Sequence, residues 1–128
     1  MKEKSRLTRI SCNETVLVQY GKNSIHALLM NISLRGALVL FPDDVIMHIG
    51  DNLQMTLNLK ESGEVLRFSA DVKHCRKTFV GFRFIYMDSD TFIRLSKFIA
   101  ARSEIPTALL TDYEQLMREM IPPREVNQ

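Results

Sequence analysis

Two groups of side chains in this sequence have types and spacing that could bind a partner. The first is a basic segment, Lys2, Lys4, Arg6 and Arg9 against the single acid Glu3, within the first nine residues. Four cations in so short a stretch make either an anion-binding arm or a solvated terminus. The second is Asn31-Ile32-Ser33-Leu34-Arg35-Gly36, short polar side chains and a glycine set between two apolar runs. On residue types alone this is a turn, with Asn31 and Ser33 bonded to the local backbone and Gly36 at positive φ. A turn of that kind can bind a ligand as well as redirect the chain. Arg35, inside it, reads as a surface arginine.

Other combinations of reactive residues lead nowhere. The histidines are His26, His48 and His74, and no two have the spacing of a helical metal site. His74 and Cys75 are adjacent, so on a strand they point to opposite faces and cannot chelate one metal. Asp43-Asp44, and Asp88 with Asp90, are paired carboxylates at turn and cap positions, where solvation or capping explains them. The five glycines are scattered singly, without a phosphate-cradling loop. These patterns argue for a binding module without a cofactor or metal rather than for an enzyme.

Composition sets outer bounds. A chain of 128 residues, 45% hydrophobic and 25% charged, fits one soluble domain with its own core. The formal charge of +2 is too small to imply a nucleic-acid partner. Charge is uneven along the chain: the segment after residue 102 carries Glu104, Asp112, Glu114, Glu119 and Glu125 against Arg118 and Arg124. Cys12 and Cys75 lack disulfide-framework spacing and read as free thiols of a reducing compartment. No stretch reaches the ~20 apolar residues of a membrane helix, so no membrane insertion is expected. The N-terminal charges lack an apolar run behind them, unlike a signal peptide. A cytoplasmic location is expected.

The elements that must position these groups are mostly strands. β-rich runs occur at residues 15–20, 25–30 and 37–41, and Leu53, Met55, Leu57 and Leu59 alternate with polar residues. Further strands are expected at residues 65–72 and 79–85, separated by a polar stretch over 73–78. Six short strands joined by tight turns suggest a barrel or a sandwich. Met30, Phe41, Phe68, Phe82 and Phe84 are core candidates, and Tyr86 is expected half-buried. The period then changes. Asp88-Ser89-Asp90 offers an N-cap, and Phe92, Leu95, Phe98 and Ile99 recur at helical spacing to about Arg102. A second helix is expected from about residue 106 until Pro122-Pro123. Its seam of Leu109, Tyr113, Leu116 and Met120 suits packing on the barrel or against a second copy in a homodimer.

With those landmarks in place, the sequence resembles the PilZ domain family. Asn31-Ile32-Ser33-Leu34-Arg35-Gly36-Ala37 resembles the family's Asp/Asn-x-Ser-x-x-Gly element. Val80-Gly81-Phe82-Arg83-Phe84 resembles its Gly-Val-x-Phe strand, and Gly50 and Ala70-Asp71-Val72 fall in order between them. The resemblance spans roughly residues 5–102. It implies a mainly β fold, a small six-stranded antiparallel barrel with one or two C-terminal helices. Residues 1–102 would form the barrel with its basic arm and first helix; residues 103–128 would add a helix and tail, within the same domain or as a dimerisation element.

The resemblance also implies a ligand, cyclic di-GMP, bound by Arg6, Arg9, Asn31, Ser33 and Gly36. Arginine's planar fork suits both phosphate oxygens and the O6/N7 edge of guanine. Asn31 and Ser33 would supply short polar contacts, and Gly36 a close backbone approach. Family members commonly carry Arg-x-x-x-Arg near the N-terminus; here the position four before Arg9 is Ser5 and the nearest arginine is Arg6. Two functions follow. One is a receptor that turns cyclic di-GMP binding into a changed contact with an effector protein. The other is a PilZ adaptor that has lost nucleotide binding and acts through protein contacts alone.

Overall fold

A computed structural model describes residues 8–103. The strands are β1 (Ile10–Tyr20), β2 (Asn23–Ile32), β3 (Gly36–Leu40), β4 (Asn52–Asn58), β5 (Val65–Arg76) and β6 (Phe79–Tyr86), followed by the helix α1 (Ser89–Arg102). They close into a barrel in the order β1-β2-β3-β6-β5-β4, and every neighbouring pair is antiparallel. Pairing of β1 with β4 closes the sheet and leaves no free edge.

The alternation of the sequence builds this core. Val16 and Val18 on β1, Leu53, Met55 and Leu57 on β4, and Leu66, Phe68, Ala70 and Val72 on β5 point inward and are buried. Phe68 and Phe84 stack across the interior with ring centroids 4.4 Å apart. Burying one such large apolar side chain stabilises the fold by about 1.5–3 kcal/mol, so register is set by keeping all of them inside. The helix buries one stripe, Phe92, Leu95, Phe98 and Ile99, and packs beside β5. Asp88 caps it by accepting a hydrogen bond from the Thr91 N–H at 2.8 Å, which holds the Asp88 carboxyl below its ordinary range.

One inward position of β1 is charged. The series Val18, Val16 continues to Glu14, which is only 5% exposed. Its Oε1 accepts from the Lys60 N–H at 3.0 Å, and its Oε2 lies 4.0 Å from Arg102 at the end of α1. Arg102 also lies over the Phe98 ring, 4.0 Å from its centroid. Glu14 thereby ties the first strand, the β4–β5 connection and the helix C-terminus together. Burial, with Glu14 adding to it, pushes the nearby Cys12 thiol up to about 11, so it stays protonated and unreactive at neutral pH. Cys12 and Cys75 are both free.

Several local expectations need correction. β1 begins at Ile10 rather than residue 15, because a bulge between Ser11 and Glu14 interrupts the alternation that marks a strand. The polar stretch 73–78 is mostly strand: β5 runs to Arg76 and pairs with β6 as far as Arg76↔Phe79. Its polar side chains lie on the outer, solvated face. Asn31 is a strand residue, next to last in β2, instead of opening a turn. Met30 is only partly buried and lies outside the core, whereas Tyr86, 53% exposed, buries about half its surface as expected. The second helix and its Leu109–Met120 seam lie outside the described residues. Among the described residues no helix is long and apolar enough to cross a membrane.

Replacing Glu14 with Ala takes away the carboxylate that accepts from the Lys60 N–H and removes the tie to Arg102. A loss of about 1–3 kcal/mol in unfolding free energy is expected from urea titration. An unchanged midpoint would show that the tie contributes nothing.

Candidate functional site

The turn between β2 and β3 is organised by Ser33. Its buried hydroxyl accepts from the Arg35 N–H at 3.1 Å and the Gly36 N–H at 3.3 Å, and the Ser33 N–H donates to the Gly36 carbonyl at 2.9 Å. The Phe84 N–H donates to the Arg35 carbonyl at 2.7 Å, which fastens this turn to β6. Gly36 is not at positive φ, contrary to the turn expected from residue types. It is required for a different reason: a Cβ there would sit 2.2 Å from the Phe82 carbonyl oxygen. Glycine lets β3 approach β6 at the Gly36↔Arg83 pair.

A bulge between Leu29 and Asn31 aims Asn31 away from the barrel interior. The β1–β2 register pairs Ser11 with Asn31 and Ile10 with Ile32, so Arg9 stands just beyond β1, beside the turn. Its Nη1 donates to Asn31 Oδ1 at 2.6 Å. The surrounding atoms strip water from the guanidinium and lower its pKa from the ordinary value.

Arg9, Asn31, Ser33 and Gly36 line one side of a cleft of about 680 Å³ on the outer face of the barrel. That volume is within the range of small-molecule sites, roughly 300–1,000 Å³. Leu38 and Gly81, paired between β3 and β6, contribute its floor. Lys73, His74 and Arg83 line the far side, and Arg35 the near side. Arg9, Arg35, Lys73 and Arg83 therefore bring four cations to one concave surface. Asp71, whose Oδ2 lies 3.0 Å from Arg83 Nη2, pairs with one of them. Such a field attracts anions, and a low-dielectric wall strengthens it. A molecule carrying phosphates and flat rings suits the combination of arginine forks and a floor short of side chains.

Of the expected site residues, Arg9, Asn31, Ser33 and Gly36 are brought together, and Arg6 lies outside the described residues. Ser33 and Gly36 act on the backbone here, Ser33 by holding the turn and Gly36 by permitting strand contact. Sequence reading missed Lys73, His74 and Arg83, and placed Arg35 on the surface without relating it to the cleft. The available signal was the outward register of Gly81 and Arg83 on β6, opposite the polar residues of β5. The polar character of 73–78 hid it.

The chain matches the PilZ domain family over residues 3–101. No curated protein matches it. Among solved structures it is similar to the Bacillus subtilis inhibitor of motility MotI/DgrA, with a TM-score of 0.69 and 19% identity over 76% of this chain and 49% of that one. It thus spans about half the length of MotI. It is similar to the PilZ domain of Escherichia coli YcgR, whose structure is described with c-di-GMP, with a TM-score of 0.68 and 18% identity over 76% of this chain and 89% of that one. The PilZ domain of CeSA from a cellulose-synthesizing bacterium matches with a TM-score of 0.57 and 20% identity, over 69% and 93% of the two chains. At these identities the likeness is one of fold.

The contact between Gly36 and Phe82 is backbone against backbone and cannot be relieved by a rotamer change. Gly36→Ala is expected to destabilise the barrel by about 1–3 kcal/mol or more, read by chemical denaturation. A variant as stable as the parent would contradict the close approach.

Proposed function

This chain belongs to the PilZ domain family, and from that premise we propose that it binds cyclic di-GMP in the cleft beside Arg9 and conveys the binding event to an effector protein. The observation that carries this reading is the Arg9 guanidinium, held on Asn31 next to the Ser33–Gly36 turn, at the mouth of a cationic cleft. The second messenger has two phosphates and two guanines. Arg9 takes a phosphate or a guanine O6/N7 edge through its fork, and Arg6, three residues earlier, supplies a second fork from the basic segment. Asn31 has a polar edge to offer once Arg9 turns to the ligand, and the Ser33–Gly36 turn keeps both in position.

The protein acts here by binding, without catalysis. Residues 1–102 form the sensing unit, and residues 103–128 are the added element available for a partner or for a second copy. Ligand that bridges the basic segment and the barrel favours the state in which the two are in contact, and an effector that distinguishes the two states responds. The E. coli YcgR domain, described with c-di-GMP, supports the ligand, and the B. subtilis inhibitor of motility supports a regulatory output of the motility kind.

A second reading is favoured by one specific feature, Ser5 where the family commonly has the first arginine of Arg-x-x-x-Arg. On that reading the chain is a PilZ adaptor without nucleotide affinity. Losing one bidentate contact weakens binding by about 5- to 150-fold, which lowers affinity without abolishing it.

Isothermal titration with cyclic di-GMP at low and moderate salt separates the two. The receptor reading predicts saturable binding that weakens as salt rises and falls by roughly 5- to 150-fold in Arg9→Ala. No heat at high micromolar nucleotide at either salt would contradict it and leave the adaptor reading.

A further inference from the structure

The far side of the cleft contains an aromatic ring in an unusual setting. Gly81 pairs with Leu38 on β3 and with His74 on β5, so the three residues form a row across the outer face. An ideal Cβ on Gly81 would lie 2.3 Å from His74 Nε2, 2.4 Å from Cε1 and 2.8 Å from Cδ2. The imidazole therefore folds across the ladder and occupies the space that a side chain at position 81 would fill. This explains why Gly81 is buried although it faces outward and needs no positive φ. Among the described residues, no hydrogen bond or ion pair holds this ring. The bulge between Val72 and His74 turns it toward the cleft, with Lys73 beside it.

A flat ring over a glycine, next to cations and lining the same cleft as Arg9, is an arrangement suited to a heterocycle. Bases stack on aromatic side chains, histidine included, because every base has a π face. Arg9 and Asn31 alone contact only one side of the cleft. We propose that His74, seated over Gly81, is a ligand-contacting residue of this cleft and stacks on a purine of the bound cyclic dinucleotide. The inference rests on the receptor reading above and adds a second bank to it. Gly81 is the positioning residue: without a Cβ it admits the ring, and any larger residue displaces it.

The test is a titration series with cyclic di-GMP on the full chain, with thermal unfolding run in parallel. His74→Ala loses roughly 5- to 150-fold in affinity with an unchanged melting temperature, and His74→Phe, which keeps a ring, recovers binding to within about threefold. Gly81→Ala meets a movable side chain rather than backbone, so the fold tolerates it, yet it weakens binding as His74→Ala does. The double variant His74→Ala with Gly81→Ala loses no more than either single one, since both remove the same contact. If the parent protein binds and His74→Ala binds equally well, the role of His74 is overturned while the receptor reading stands. Additive losses in the double variant would overturn the positioning role of Gly81. Absence of binding by the parent overturns both readings.

Discussion

The approach of β3 to β6 at Gly36 governs the architecture of the outer face. With the Phe82 carbonyl where a Cβ would otherwise sit, the two strands pair through Gly36↔Arg83 and Leu38↔Gly81. That register has consequences on both sides. On one, the Ser33 turn is bonded into the end of β3 and fastened through Arg35 to Phe84, which leaves Asn31 and Arg9 at its rim. On the other, β6 carries Gly81 and Arg83 beside β5, so Lys73 and His74 come within the same cleft. A shift of one residue in this pairing would turn Phe82 outward and Gly81 and Arg83 inward. The apolar interior thus enforces the positions of groups on the exterior.

Much of this was legible in the sequence, for physical reasons that differ between elements. β4 was read closely because Leu53, Met55 and Leu57 alternate with polar residues without interruption. The helix was legible from its cap at Asp88 and its stripe of four buried residues. The start of β1 was not, because the bulge at Ser11–Glu14 breaks the alternation and places a carboxylate on an inward position. The end of β5 was hidden for the opposite reason: strand residues near a barrel rim need little apolar character when their outer face is solvated.

The site divides along the same line. Asn31, Ser33 and Gly36 stand close together in sequence, so a local motif announces them, although the motif conceals what each residue does. Ser33 serves the turn, Asn31 holds Arg9, and Gly36 serves the β3–β6 ladder. Lys73, His74 and Arg83 are separated from them by roughly a third of the chain, and only strand pairing unites them. Long-range registry of this kind leaves no local pattern. The glycine at position 81 is one trace of it, and its meaning depends on knowing that His74 lies across the ladder.

The proposed receptor role requires that one cationic cleft on the barrel's outer face take a cyclic dinucleotide between two banks. The most direct measurement is a series of ¹⁵N–¹H spectra of the full chain during titration with cyclic di-GMP. Saturable shifts concentrated at Arg9, at Asn31 to Gly36, at Lys73 and His74, and at Gly81 to Arg83 are the expected result. Saturable shifts confined to α1 and the β4–β5 connection, with those four segments unmoved, would contradict it.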